Sequence, residues 1–431
     1  MKILVISRGV VGQGMASSGV RSYHIARVLA EQMPEAEVTL AIPNESDIES
    51  PHPRMRIVTS RGGRSSVRLM REHSVIISRN FPPQIVPFFF QKRLALDFFT
   101  SFFIEWMELS KRFPEFEHRK RWMASNNAYL DAQLTLADYI FCSNERQRDM
   151  WVGALVALGL IPPKTYDQDP TLSRLIGVIP YGVQPGSPRP ARRVLKGVVP
   201  GIRETDKVVI WNGLIVEWFD APTVVRAMAE VSRVRDDVKL FFLGIQHPDL
   251  VTSVLAPPVQ EAMALAKQLG IYERSVFFNV DWVPYQEIGG YLAESDIGVC
   301  AAFDNLESRY SFRTRYVDLF WAELPIVCTR GDVLAERVER DPLGVAVAPG
   351  DHRAFAEGLL RLVEDGEFYE RCRTNTAMIK EELRWERTLQ PLVDFCRNGN
   401  TSAAPKSKRI FPLIRRFASY LRQRKAAFGT P

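Results

Sequence analysis

The chain contains few of the residues that build disulfide frameworks or metal sites. Its 431 residues include five cysteines and six histidines. The cysteines have no close pairing, and the histidines are scattered along the sequence. The sequence therefore gives no sign of a disulfide framework and predicts no metal constellation. A reducing cytoplasm is the simplest setting for a chain of this composition.

Long hydrophobic runs and a broad excess of one charge are also missing. No apolar window is long enough to span a membrane, and Met1 leads directly into an apolar strand pattern rather than a secretion signal. The formal net charge is +6, but Lys406 to Lys425 hold eight Lys or Arg and no acid, which leaves −2 for residues 1–405. Because this body lacks the basic surface typical of nucleic-acid binding, we expect no nucleic-acid partner.

Short apolar strand patterns alternate with helix patterns along the chain, which is typical of α/β folds with parallel sheets. In the first half, strands are predicted at Ile3–Ser7, Glu37–Ile42, Arg56–Thr59, Ser74–Ser78 and Tyr139–Ser143. In the second half, strands are predicted at Val208–Gly213, Lys239–Gly244, Val276–Asp281, Ser295–Cys300 and Leu324–Thr329. Ligands of such sheets bind at the carboxyl ends of the strands, so the loops after the second-half strands are expected to form one site.

Length and composition indicate two domains. The chain exceeds one ordinary domain, is 46% hydrophobic, and is interrupted after residue 183 by a stretch rich in Pro and Gly. We predict domains at residues 1–183 and 206–385, a linker at 184–205, a helix at 386–400 and a basic amphipathic tail at 401–431.

The segment between the last two predicted strands is dense in charged residues. We predict a helix there that begins near Ser311 as its N-cap, with Arg313 and Asp318 facing solvent. Its apolar stripe would consist of Tyr316, Leu319 and Phe320. The unpaired amides at such a helix start favour an anion, and Asp318 is spaced to accept hydrogen bonds from ribose hydroxyls. The alternative is a merely solvated helix face made of Arg309, Arg313, Arg315 and Asp318.

The order of these residues resembles the donor site of retaining GT-B glycosyltransferases of family 4. In that family two Glu residues bracket seven others, and the second lies seven positions before the Pro of the following strand. Counting back from Pro325 places Asp318 at the second position and Tyr310 at the first, with Glu307 one turn earlier. The resemblance implies two Rossmann-like domains whose parallel sheets face each other across a cleft. It also implies transfer from a nucleoside diphosphate sugar with retention of configuration.

The residue pattern and the resemblance together give candidate catalytic and donor-binding residues. The predicted catalytic residues are Asp97, Glu307 and Arg313, with Asp97 holding or deprotonating the acceptor hydroxyl. The predicted donor-binding residues are Gly12, Gly14, Gly19, Asn212, Gly213, Trp282, Tyr285, Ser311, Phe312 and Asp318. The alternative for the three glycines is a flexible turn. The alternative for Trp282 and Tyr285 is packing in the core. No metal ligand is predicted, since no Asp-x-Asp motif of the metal-dependent transferases stands where it would be needed, and no cofactor is expected.

The loop after the first strand of the second half departs from the family. Family members usually supply an Arg and a Lys there for the departing diphosphate, whereas this chain has Leu214 and Trp218 in NGLIVEWFD. Arg313, Arg315 or Arg330 could replace the missing pair, because the guanidinium group binds phosphate oxygens in bidentate fashion. We predict Arg313, since it is expected in the first turn of the helix.

Two further segments predict partners. If the acceptor is a lipid-linked glycan, the aromatic stretch Ala95–Phe113 would face the membrane or the lipid, with core packing as the alternative. In the tail, Ile410, Leu413, Ile414, Phe417 and Leu421 share one helix face. With its basic residues this helix predicts peripheral attachment to a membrane surface, and a solvated tail or a partner-binding helix is the alternative.

The sequence thus favours a cytoplasmic, metal-independent glycosyltransferase that acts in cell-surface polysaccharide or glycolipid synthesis. One alternative is a non-catalytic nucleotide-sugar or membrane-binding protein of the same fold, which the missing basic pair motivates. Another is a nucleotide-sugar epimerase, which would form product without an acceptor. Nucleic-acid binding through the tail alone is a weaker alternative.

Overall fold

The computed structural model describes residues 1–188, 192–245, 255–398 and 405–428. The chain divides into two compact units: unit 1 comprises Met1–Tyr181 with Trp385–Pro431, and unit 2 comprises Gly182–Arg384. No helix in the described part of the chain is long and apolar enough to cross a membrane. Parts of the predicted linker, of the 386–400 helix and of the tail lie outside the described residues.

Unit 1 is built on a parallel sheet. Its strands are β1 (Lys2–Ile6), β2 (Glu37–Ile42), β3 (Met55–Thr59), β4 (Val75–Ser78), β5 (Arg93–Phe98), β6 (Tyr139–Cys142) and β7 (Ile176–Val178). They lie in the order β3-β2-β1-β4-β5-β6-β7. The strand order therefore reverses between β1 and β4, which pair in parallel. Such a reversal is the usual place for a ligand in an open α/β sheet.

The helices of unit 1 connect these strands. They are α1 (Ser17–Gln32), α2 (Gly63–Glu72), α3 (Phe102–Ser110), α4 (Phe116–Leu136), α5 (Glu145–Ala157) and α6 (Pro163–Gln168), with a 3₁₀ helix at Pro83–Gln91. The aromatic stretch Ala95–Phe113 largely packs inward: the ring of Phe98 contacts those of Phe102 and Trp151, and Phe102 contacts Trp106. Much of this stretch is therefore core, as the alternative interpretation of the sequence held.

Unit 2 is built on a second parallel sheet. Its strands are β8 (Lys207–Asn212), β9 (Val238–Leu243), β10 (Val276–Asn279), β11 (Ile297–Cys300), β12 (Ile326–Thr329) and β13 (Gly344–Val347). They lie in the order β10-β9-β8-β11-β12-β13, so this order reverses between β8 and β11. The helices are α7 (Ala221–Val234), α8 (Pro257–Gln268), α9 (Ile288–Ala293), α10 (Leu306–Tyr310), α11 (Thr314–Trp321), α12 (Val333–Arg340), α13 (His352–Glu364) and α14 (Gly366–Glu382). The α/β class with parallel sheets is confirmed.

After unit 2 the chain returns to unit 1. The helices there are α15 (Trp385–Thr388), α16 (Gln390–Asn398) and α17 (Lys406–Phe428). The indole of Trp385 stacks on the imidazole of His24, with ring centroids 5.1 Å apart, and Glu386 pairs with Arg27 at 2.7 Å. The single helix expected at residues 386–400 is divided into the separate helices α15 and α16, because Pro391 fits only the first turn of a helix.

Helix α17 packs against α4 rather than standing free. Leu413 is 0% exposed, and Phe417 is buried in the same hydrophobic core as strand residues of unit 1. Arg409 donates hydrogen bonds to the carbonyl oxygens of Thr135 and Ala137 at the end of α4, and it pairs with Asp138 at 2.6 Å. The expectation that Leu413 and Phe417 face a membrane is therefore wrong, since unit 1 buries them.

Candidate functional site

The carboxyl end of β8 is the reversal point of the unit 2 sheet, and predicted donor-binding residues lie there. Asn212 is the last residue of β8, and Gly213 follows with φ of 92°, a left-handed conformation that side chains other than glycine rarely adopt. The N–H of Gly213 donates to the carbonyl of Leu243 at 2.8 Å, which holds the turn against β9. The turn is thus fixed before the chain enters the next loop.

Asp318, on α11, meets Asn212 at this point. The side-chain amide of Asn212 donates to Oδ2 of Asp318 at 3.0 Å. Burial raises the pKa of the Asp318 carboxyl to about 7, while the amide hydrogen bond and the charge of Arg315 act in the opposite direction. No ion pair forms at Asp318 among the residues that the structure describes. The Asp318 side chain is partly exposed, so the solvent-facing position expected for it is only partly realised.

Arg315 lies beside Asp318 as a buried cation. Its guanidinium carbon is 4.2 Å from the ring centroid of Trp211 and 4.0 Å from that of Phe219, and Nη2 donates to the carbonyl of Leu214 at 2.8 Å. Only 6% of the residue is exposed, Nη1 has no hydrogen-bond partner, and no ion pair forms at Arg315 among the described residues. Burial lowers the pKa of this guanidinium to about 10. A buried cation without a counter-ion favours an anionic ligand.

Arg313, the cation predicted for the diphosphate, has a different environment. It is 5% exposed, and its guanidinium binds Glu307 through both nitrogens, Nη1 to Oε1 at 2.9 Å and Nη2 to Oε2 at 2.6 Å. Burial lowers the pKa of Arg313, but the charges of Glu307 and Asp332 outweigh that effect and raise it. The expectation that Arg313 faces solvent is wrong, because its side chain is buried in an ion pair with Glu307, another predicted catalytic residue.

The helix start predicted at Ser311 is also wrong. Asn305 caps the short helix α10, its side chain accepting from the N–H of Ser308, and Ser311 ends α10 with an extended ψ of 147°. Arg313 occupies the N-cap position of α11. The Ser311 hydroxyl donates to the carbonyl of Glu307 at 2.8 Å, so it serves the preceding turn. Phe312, between them, is buried.

Trp282 and Tyr285 lie after β10 at the same edge of the sheet. Both side chains are partly exposed, and the Trp282 ring lies against Gly244. Both residues follow β10, which is separated from β8 by β9 in the sheet. The base of a nucleoside whose ribose lies near Asp318 could therefore extend along this edge towards them.

The three glycines predicted for donor binding lie in unit 1, in the loop after β1 and at the start of α1. Gly12 has φ of 143°, and a Cβ there would lie 1.8 Å from Oδ1 of Asp47. The carboxylate of Asp47 accepts from the N–H of Gln13 at 3.0 Å, which fixes the loop. A Cβ on Gly19 would collide with a backbone carbonyl, whereas Gly14 borders open space. Gly12 and Gly19 are therefore needed by local packing.

Asp97, which was predicted to hold or deprotonate the acceptor hydroxyl, forms a buried ion pair with Arg21. Nε of Arg21 donates to its two oxygens at 3.0 and 2.8 Å, and Nη2 of Arg21 donates to the carbonyl of Ile179 at 3.0 Å. Sequence reasoning missed Arg21, because nothing in the local pattern of α1 shows that this arginine is buried against residues far along the chain. This pairing favours a structural role for Asp97, and its part in catalysis stays a prediction.

Other cations and acids offer less to a ligand. Arg330, considered as a replacement for the basic pair, is about half exposed and pairs with Glu339 at 2.9 Å. Among the described residues, no group of three or more His, Cys, Asp or Glu side chains could hold a metal ion. Within unit 2, the arrangement best suited to a nucleotide is therefore Asn212, Arg315 and Asp318.

Comparisons with known proteins bear on the fold and on the family of the second half. Residues 206–365 match the protein family described as Glycosyl transferases group 1. No curated protein is similar enough in sequence to count as a relative. Among solved structures, the chain is similar to a sucrose-phosphate synthase from Thermosynechococcus elongatus, with a TM-score of 0.62, 13% identity and coverage of 92% of this chain and 98% of that one.

Two further solved structures are alike over their whole length. Anabaena HepE in complex with UDP and glucose has a TM-score of 0.61 and 14% identity, and WaaG, a glycosyltransferase involved in lipopolysaccharide biosynthesis, has a TM-score of 0.57 and 12% identity. Each match covers 93% of this chain and 100% of the other. The chain has the GT-B fold, and its second half carries a glycosyl transferases group 1 domain.

Proposed function

We propose that the protein is a glycosyltransferase that moves a sugar from a nucleoside diphosphate sugar to a glycan or lipid-linked acceptor. The observation that carries this proposal is the group of Asn212, Arg315 and Asp318 at the reversal point of the unit 2 sheet, inside the segment 206–365 that matches the family. It combines an acceptor for ribose hydroxyls with a cation that lacks a counter-ion. Ligands of open α/β sheets bind at such a point.

Each residue has a proposed role. Asp318 accepts hydrogen bonds from the ribose, and Trp282 and Tyr285 flank the base. During transfer the bond between the anomeric carbon and the diphosphate oxygen breaks, a bond to the acceptor oxygen forms, and the acceptor hydroxyl loses its proton. Arg315 stabilises the negative charge that develops on the departing diphosphate. The pair of Glu307 and Arg313 fixes the chain that leads into α11.

A loop covers the proposed phosphate-binding cation. Residues 214–219 follow β8, and Leu214 and Phe219 contact Arg315 directly. This is the loop in which the family usually carries its basic pair. We propose that it shifts when the donor binds, which exposes Nη1 of Arg315 to a phosphate oxygen. The cation then comes from α11 instead of from the loop.

Nucleotide binding tests the donor site. Calorimetric titration with UDP, GDP, dTDP and ADP is expected to show selective binding of one of them. Asp318→Ala and Arg315→Ala are each expected to weaken that binding at least about tenfold, since hydrogen bonds to charged groups contribute roughly 1.5–3 kcal/mol. Arg226→Ala, which removes an exposed arginine of unit 2, is the matched control. If no nucleotide binds, or if all three variants bind equally, the site is wrongly assigned.

Donor turnover separates the alternatives. Incubation with the labelled diphosphate sugar of the selected nucleotide is expected to release free nucleoside diphosphate, faster when an acceptor is present. Nucleotide binding without release would favour the non-catalytic alternative, which the replacement of the basic pair motivates. Conversion of the sugar without an acceptor would indicate an epimerase. The proposal also includes four features that the family resemblance implies: retention of configuration, metal independence, absence of a cofactor, and a role in cell-surface polysaccharide or glycolipid synthesis.

We also propose that the protein is cytoplasmic and attaches to the membrane surface through the outer face of α17. Phe411 is 80% exposed, and Ile414 and Leu421 are each about half exposed. At about 100° per residue these three share one side of the helix. The exposed basic residues Lys408, Arg415 and Arg422 form an adjacent row. An apolar row beside a basic row fits the surface of an anionic bilayer.

Vesicle co-sedimentation tests this attachment. Binding is expected to phosphatidylcholine vesicles that contain phosphatidylglycerol, and much less to phosphatidylcholine alone. Replacing Phe411, Ile414 and Leu421 together with Ser is expected to abolish it, whereas Val234→Ser, at an exposed apolar residue of unit 2, is expected to leave it unchanged. Binding that persists in the triple variant would remove α17 as the anchor.

A further inference from the structure

Two arginines meet at the reversal point of the unit 1 sheet. Arg8 follows β1 and Arg79 follows β4, and these two neighbouring strands flank the reversal. Nη2 of Arg8 donates to the carbonyl of Asn80 at 3.3 Å, so the Arg8 side chain reaches the residue next to Arg79 at the carboxyl edge of the sheet. By the same rule that applies to unit 2, this edge is a place for a ligand.

Helices α4 and α17 extend this basic edge. The rings of Tyr129, on α4, and Tyr420, on α17, contact each other with centroids 4.8 Å apart. Nη1 of Arg424 donates to the Tyr420 hydroxyl at 3.3 Å. Burial raises the pKa of Tyr129 to about 12, and the charges of Arg8 and Arg424 both act against that rise. Two arginines from distant parts of the sequence therefore lie close to one phenol.

The carboxylate of Glu105 acts on Arg79 at this edge without forming an ion pair with it. Arg21 and Asp97 neutralise each other, and among the described residues no ion pair involves Arg8, Arg79 or Arg424. Burial lowers the pKa of Arg79, with the carboxylates of Glu105 and Asp97 acting in the opposite direction and Arg21 adding to the decrease.

Side chains around Arg79 leave polar groups and a flat apolar surface at the same edge. Nη2 of Arg79 donates to Thr100 Oγ1 at 3.1 Å, and the guanidinium lies 4.6 Å from the ring centroid of Phe99. Ser101, which follows β5, is 1% exposed, and its hydroxyl has no hydrogen-bond partner. A buried hydroxyl without a partner is costly, so a ligand atom that pairs with it is favoured.

We propose that Arg8, Arg79 and Arg424 bind the phosphate group of a phosphorylated acceptor. A phosphate monoester carries a charge of about −1.5 to −2 at neutral pH and several strong acceptor oxygens, which suits several guanidinium groups better than a single carboxylate does. The acceptor is thus a sugar phosphate or a lipid phosphate. This inference rests on the proposed function, because only a transferase has an acceptor. The phosphate-binding site itself lies wholly within unit 1.

Titration of the full chain tests the site, with the nucleoside diphosphate selected in the donor-site titration present at saturation so that a phosphate site in unit 2 is occupied. Glucose 6-phosphate is expected to bind, to be displaced by inorganic phosphate, and to bind far more tightly than glucose. Arg8→Ala and Arg424→Ala are each expected to weaken this binding about tenfold, as for loss of a charge-assisted hydrogen bond. Both residues are exposed, so neither variant is expected to impair folding. Arg71→Ala, an exposed arginine at the amino edge of the same sheet, is the matched control.

Soluble short-chain lipids distinguish the two sources of phosphate. Monomeric dihexanoyl phosphatidic acid, compared with dihexanoyl phosphatidylcholine, reports a lipid phosphate, and glucose 6-phosphate reports a sugar phosphate. Tighter binding of one probe, lost in Arg8→Ala, names the source. Equal affinity of the wild type, Arg8→Ala and Arg424→Ala for both probes would overturn the inference. If no nucleotide binds but the phosphate probes do, the donor site fails while this inference stands.

Discussion

Each unit holds a buried arginine close to a carboxylate, but the two arrangements differ. In unit 1, Arg21 binds Asp97 at 2.8 Å, and carbonyl oxygens satisfy its other nitrogens. In unit 2, Arg315 lies three residues from Asp318 on the same helix, yet the two form no ion pair. Aromatic rings and one carbonyl surround Arg315, and an amide holds Asp318. Arg21 and Asp97 therefore neutralise each other without a ligand, whereas Arg315 has no counter-ion among the described residues.

The difference separates residues that hold the fold from residues suited to binding. A buried ion pair becomes strongly destabilising only when one partner is removed, whereas a buried cation without a counter-ion, such as Arg315, already costs free energy in the folded protein. Evolution retains such a cost at functional sites. The same contrast separates Arg313, which Glu307 neutralises, from Arg315, although the two arginines are close in sequence.

The largest expected effect is that of Arg21→Ala. It leaves Asp97 buried without a counter-ion, so the free energy of unfolding of unit 1 is expected to fall by roughly 3–5 kcal/mol. Urea unfolding followed by circular dichroism measures this loss. Arg64→Ala removes an exposed arginine of the same unit and is expected to change little. Equal stability of the two variants would mean that the buried pair does not hold unit 1 together.

A smaller loss is expected for Arg315→Ala. The variant loses two cation–π contacts and a hydrogen bond, but it also removes an uncompensated buried charge, so the free energy of unfolding is expected to fall by at most about 2 kcal/mol. The same urea experiment on unit 2 measures it. A loss as large as that of Arg21→Ala would show that Arg315 acts as a structural cation.

The stability of unit 2 is expected to depend on pH through Asp318. Burial raises the pKa of this carboxyl from 3.8 to about 7, and that of Asp332 to about 6. Between pH 4 and these values, the folded protein keeps protons that the unfolded chain has released. The free energy of unfolding therefore falls as pH rises, by up to about 1.4 kcal/mol per pH unit for each group. Asp318→Asn is expected to reduce this slope, and an unchanged slope would contradict the assignment.

Nucleotide affinity is expected to show the weakest of these effects. The Asp318 carboxylate must be ionised to accept hydrogen bonds from both ribose hydroxyls, and its pKa is about 7. Calorimetry is therefore expected to show affinity rising about tenfold between pH 6 and 8, following the ionised fraction. In Asp318→Asn the affinity is expected to be low and independent of pH. A parallel rise in that variant would assign the titration to another group.

Most of the sheet could be predicted from the sequence, because buried parallel strands are short apolar runs with Gly, Asn or Asp at their ends. Strands β5, β7 and β13 were missed, and β7 has only three residues. The apolar run of β5 merges with the aromatic stretch Ala95–Phe113, and β13 is the short segment GVAV, which lacks large residues. In both β5 and β13 the sequence therefore lacks the clear boundary by which a strand is recognised.

The charged segment before β12 was harder to interpret. The stripe of Tyr316, Leu319 and Phe320 is buried as predicted, but α11 also buries Arg315 and Val317. A rule that places arginine on the solvent side of an amphipathic helix therefore fails here. Local spacing could not reveal that Trp211 and Phe219, about a hundred residues earlier, receive the guanidinium. Arg313 was predicted to bind the diphosphate because spacing alone could not show that Glu307 neutralises it.

Helix α17 has a consequence for how the protein is made. Its residues Leu413 and Phe417 belong to the same core as Leu4, Ile76 and Leu96. During synthesis, strands β1 to β7 emerge from the ribosome long before the side chains that complete their hydrophobic core. Domains usually fold in the order of their synthesis, but unit 2 is continuous in sequence and is the first to be available in full. Unit 1 must wait as an unfinished core, and a nascent chain stopped before residue 406 would present that open surface to chaperones.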